Sequence, residues 1–75
     1  MTPPTALDLR IADLERALAA AQERSERAMD ARMRLPPGSS RARVTTANAN
    51  WSRAAESRDR LRDLLDAALA ERAAR

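Results

Sequence analysis

Apolar and small residues, interrupted once by Arg32, recur along the first part of the chain at Leu7, Ile11, Leu14, Leu18, Ala21, Ser25, Ala28, Arg32 and Leu35. The spacing alternates four and three without a slip, which is the heptad seam by which one helix packs against another. A second seam of the same kind runs through Val44, Ala47, Trp51, Ala54, Arg58, Leu61, Leu65, Ala68 and Arg72. Polar and charged residues fill the positions between. Two long helices are therefore expected, each roughly 45 Å long at about 1.5 Å per residue.

The stretch Leu35-Pro36-Pro37-Gly38-Ser39-Ser40 separates them. Consecutive prolines cannot continue a helix, and the residue before them is pushed out of helical dihedrals. Gly38 suits a reversal, and Ser39 or Ser40 can cap the helix that follows. At the other end, Thr5 followed by Asp8 fits a capping box. The boundaries read as helix 5–34, turn 35–40 and helix 41–73 within a single unit, residues 1–75. The fold class is all-α, an antiparallel two-helix hairpin of coiled-coil type.

Folding the arms about Gly38 sets Ile11 opposite Leu65 and Leu14 opposite Leu61. Trp51 then falls opposite Ser25, with Ala21 and Ala28 nearby, so the one bulky aromatic meets the slimmest part of the first arm. Leu14, Leu18, Trp51, Leu61 and Leu65 are the expected core, with the indole N–H directed at Ser25. Arg58, in the seam and facing Leu18, is expected to pack its stem and extend its guanidinium to Glu15 or to an acid of a second chain.

Composition makes this core thin. Of 33 apolar residues, 18 are alanine, which favours helix but buries little surface. Leu64 and Leu69 widen the second stripe. Leu7, Leu9, Ile11, Leu64 and Leu69 form the expected self-association set, giving a homodimer with a four-helix assembly. The longest apolar run, Ala17–Ala21, is too short to cross a membrane, and no membrane contact is expected. The first residues lack the pattern of a signal peptide and no cysteine is present, which makes the cytoplasm the expected location.

Charge alters the picture only near the turn. The net charge is +3, with 14 basic residues, all arginine, against 11 acids. From Ala31 to Ala55 there is no acid, while Arg32, Arg34, Arg41, Arg43 and Arg53 all fall there. Arg41 and Arg43 occupy the first turn of a helix, where acids are favoured. With Ser39 and Ser40 they describe a candidate anion contact. Thr45, Thr46, Asn48, Asn50 and Ser52 follow as an uncharged polar stretch that can be covered more cheaply than charges. Arg34, Ser39, Ser40, Arg41, Arg43, Thr45, Thr46 and Asn48 are thus the candidate contacts for a protein partner or an anion.

Catalytic chemistry has little to draw on. Histidine, cysteine and tyrosine are absent, so serine, threonine and carboxylates lack the usual activating base. Asp59, Asp63 and Asp66 share one stretch, but Arg58, Arg60 and Arg62 among them oppose an oxygen-ligand metal cage. No enzyme, catalytic residue, cofactor or metal site is expected. The sequence points to a non-enzymatic protein-interaction module, an adaptor, scaffold or regulator acting through its arginine-rich tip and its threonine/asparagine face. The alternative is a nucleic-acid-binding protein whose tip contacts phosphates. Against it stand the lack of stacking aromatics at the tip and arms with nearly as many acids as bases.

Overall fold

The computed structural model describes residues 2–75, of which the regular structure is two helices packed against each other. Helix α1 spans Ala6–Met33 and helix α2 spans Arg41–Ala73. The molecule is a rod of 59 × 20 × 13 Å. Neither helix is long and apolar enough to cross a membrane.

Each helix starts where local chemistry allows it. Thr5 Oγ1 accepts from the Asp8 amide at 3.1 Å while the Thr5 amide donates to Asp8 Oδ2 at 3.1 Å, a complete capping box. Hydrogen bonding from Thr5, its main-chain amide first and its hydroxyl second, holds the Asp8 carboxyl below the usual carboxylate range, with a smaller contribution from Arg72. Ser40 caps α2, its Oγ accepting from the Arg43 amide at 3.2 Å. In the connection, the Ser39 amide donates to the Pro36 carbonyl at 3.1 Å across Pro37 and Gly38. Gly38 has φ +82°, so proline and glycine hold the second and third places of a type II turn.

The best-buried cluster lies at the end away from the turn. Leu7, Ile11 and Ala68 form it, with Leu14 and Leu65 packed against them. Ile11 keeps only 1% of its surface exposed. The expected core residues Leu14, Leu18, Trp51, Leu61 and Leu65 are half-buried, because two helices leave both sides of their seam open.

The pairing of the arms differs from a fold pivoting on Gly38. Ile11 packs with Ala68, and Arg58 reaches Ser25, the place assigned to Trp51. Arg32, next to last in α1, bonds Asn48, two turns into α2. The seams mesh about one position farther along α2 than expected. The physical reason is the path of the connection. The prolines keep residues 35–37 out of helical dihedrals, so the chain runs on past α1 before reversing. The first two turns of α2 then lie beside the connection, where Leu35 and Pro36 border Val44.

Three consequences follow in the middle of the rod. Ser25 Oγ receives the Arg58 guanidinium at 3.2 Å, rather than the indole N–H of Trp51. Arg58 also donates to Asp59 at 3.0 Å, so its partners are Ser25 and Asp59, not Glu15. Trp51 is half-buried, with the Arg32 guanidinium 5.4 Å above its ring centroid.

Candidate contact surface at the turn end

The turn end begins as a backbone problem and becomes an electrostatic one. Its hydroxyls are spent on local structure. Ser39 Oγ donates to the Pro36 carbonyl at 2.6 Å, and Ser40 Oγ is the α2 cap. Both serines therefore hold the bend together: Ser39 spends its hydroxyl proton on the Pro36 carbonyl, whereas Ser40 only accepts and keeps its own proton to donate. Sequence spacing placed both at the turn but could not show that the turn would take up the Ser39 donor.

The arginines divide into two groups. Arg32 is exposed but engaged within the chain, over Trp51 and on Asn48 Oδ1 at 2.5 Å. Arg53 donates to Asn50 at 2.8 Å. Arg34, Arg41 and Arg43 are exposed and have no carboxylate partner among the described residues. Arg34 caps the end of α1, while Arg41 and Arg43 stand in the acid-free first turn of α2. Three uncompensated guanidiniums thus gather around one bend.

The threonine/asparagine stretch does not form one face. At about 100° per residue, Thr46 and Asn50 lie on one side of the α2 seam, and Thr45, Asn48 and Ser52 on the other. The surface follows this division. Thr46 and Asn50 border a groove of about 590 Å³ whose walls include Ala28, Ala31, Leu35, Ala42 and Ala47. Arg27 and Arg43 stand at the same groove. Asn48 instead borders a second depression with Arg32, Met33, Pro36 and Val44. Thr45 borders neither. The first groove was not foreseen, although alanines at 28, 31, 42 and 47 on both sides of the bend are a readable sign that nothing large fills it.

The leucine set at the opposite end also separates. Leu7 and Ile11 are buried within the hairpin and so are unavailable for self-association, because Ala68 is small enough to let α2 close over them. Leu9 is 56% exposed and lies about 200° around α1 from Leu7, on the side away from α2. Leu64 and Leu69 are exposed on opposite flanks of the α2 seam. No single apolar patch unites the five.

Among the described residues no group of three or more carboxylate, histidine or cysteine side chains is placed to hold a metal ion. No protein-family model matches the chain, and neither a curated protein nor a solved structure is significantly similar to it.

Proposed function

We propose that this chain is a non-enzymatic interaction module, a helical hairpin that presents its turn end to a protein partner as an adaptor, scaffold or regulator. The observation that carries the reading is the pairing of three uncompensated arginines, Arg34, Arg41 and Arg43, with an apolar groove at the same end. Charge without an internal partner offers steering and selectivity, and an uncovered apolar surface offers affinity. Affinity capture with the full chain tests it. Replacing Arg34, Arg41 and Arg43 together by Glu should abolish retention of partners kept by the parent chain, and an unchanged set would end the proposal.

Self-association belongs to the same proposal. Leu14, Leu18, Leu61 and Leu65 are only half-covered, and a second copy laid along the open side of this seam, with Leu64 or Leu69 at its margin, would complete a four-helix assembly.

A second reading draws on the same arginines. Guanidiniums with no carboxylate neighbour suit phosphates, and the binding would be non-specific and steeply salt-dependent. Titration of duplex and single-stranded nucleic acid at two salt concentrations separates the readings. Binding that persists near physiological salt and disappears with Arg41→Ala plus Arg43→Ala would favour it.

A further inference from the structure

We infer that the groove between Ala31 and Ala42 receives an acidic amphipathic helix, its leucine-type side chains on the alanine floor and its carboxylates on the flanking arginines. The inference rests on the reading of the turn end as a protein-contact surface and names the class of partner.

The groove exists because alanines line both walls where the helices separate around the connection. Ala28 and Ala31 come from α1, Ala42 and Ala47 from α2, and Leu35 is half-buried at the junction. Its volume of about 590 Å³ is that of a ligand-binding cleft, and it has room for two or three aliphatic side chains. Burying such side chains on methyl groups is favourable at about 25 cal/mol per Å².

Charge selects the occupant. Arg27 stands at the α1 wall and Arg43 at the α2 wall, and Arg34 and Arg41 lie at the same end. Of these, Arg27 is bonded to Glu23 at 2.6 Å, whereas Arg43 has no carboxylate partner among the described residues. The α2 wall belongs to the segment Ala31–Ala55, which contains no acid, and on the α1 wall Glu23 is taken up by Arg27. A basic partner is repelled, and so is the turn end of a second copy, which carries the same five arginines.

Backbone chemistry selects the conformation. Both walls are helices, so the groove has no strand edge to pair with an extended peptide. A helix satisfies its own amides and carbonyls and needs only side-chain contact. Thr46 and Asn50 at the rim can accept or donate single hydrogen bonds without demanding a charge. A phosphate backbone would instead set its charges over alanine methyls, with no aromatic to stack a base.

The test uses the full chain and a fluorescein-labelled blocked peptide of roughly 14 residues, four helical turns. It carries Leu on one face and Glu on the others. Anisotropy should report saturable binding, and circular dichroism should report a gain of peptide helicity on mixing. Exchanging every Glu for Lys, or every Leu for Ala, should weaken binding at least about tenfold. Filling the groove by Ala31→Leu, or from the other wall by Ala42→Leu, should weaken it by a similar factor. Both sites are exposed and helical, so these leucines should leave the hairpin's own spectrum unchanged. Arg43→Glu should also weaken binding, while Arg75→Glu, at the far end, should not.

Full-strength binding to both leucine-filled variants would overturn the groove. If that binding were still lost on replacing Arg34, Arg41 and Arg43, the contact surface would stand and only the groove as the helix's seat would fall. No peptide binding up to about 1 mM overturns the inference. Retained partner capture in that case would keep the broader reading, and duplex DNA binding in its place would replace it by the phosphate reading.

Discussion

Ile11 is the residue on which the packing depends most, since it is the one large side chain closed off almost completely. Ile11→Ala should cost about 2–4 kcal/mol, through lost transfer energy and the cavity left behind. Thermal unfolding followed by circular dichroism at fixed protein concentration measures this, and an unchanged midpoint would refute the placement. Arg32 has a different task, shielding Trp51 through its guanidinium face. Arg32→Ala should expose the indole, shift its emission to longer wavelength and cost about 0.5–1 kcal/mol. Individual side-chain burial was largely legible from the seam, because seam membership and burial have the same cause. Arg32, Val44 and Arg72 are the exposed members. Arg32 and Arg72 carry charges that stay in water, and Val44 borders the open depression beside the connection.

At the scale of elements, the helices and their caps follow from short-range rules and were readable. Thr5, Asp8 and Ser40 satisfy main-chain donors within three residues of themselves, so no distant contact can reassign them. The mutual register of α1 and α2 was not readable in the same way. Sliding a heptad seam by one seam position keeps seam on seam, with Leu14 opposite Leu65 instead of Leu61, so the spacing by itself does not choose between the two registers. Only the length and path of residues 34–40 break that degeneracy. Gly38→Ala should therefore destabilise by about 1–2 kcal/mol, purely from the positive φ, since a Cβ there would meet nothing within 4 Å. Chemical denaturation checks this, and Gly38→Asn should recover part of the loss. The α1 cap predicts a pH response. Because the Asp8 carboxyl is held below its ordinary value, its contribution is present above the normal carboxylate range and is lost as pH falls through the folded value. Helicity should hold from neutral pH down to about 5 and decline below about 4. Asp8→Asn should flatten that decline without altering the alkaline side.

For the whole molecule, two helices give a narrow core, and the thinness was visible in the alanine count. The distribution of exposed leucines was not, since it depends on angle around each helix and on which residues the partner arm covers. If the open seam is completed by a second copy, sedimentation equilibrium at tens of micromolar should return twice the mass of one chain. Leu64→Glu plus Leu69→Glu should return the monomer mass while leaving each hairpin helical. A monomer for the parent chain would remove the four-helix proposal and leave the turn-end surface untouched.

The acid-free bend also gives the rod a direction. Residues 26–55, the turn half of the rod, hold six arginines and two acids, Glu26 and Asp30, and leave eight arginines to face nine acids, so the remaining length is mildly negative. Over 59 Å this makes a permanent polarity along the long axis. Two such rods drawn alongside each other lower their energy by lying top to tail, and an anionic surface would stand them upright on their bends.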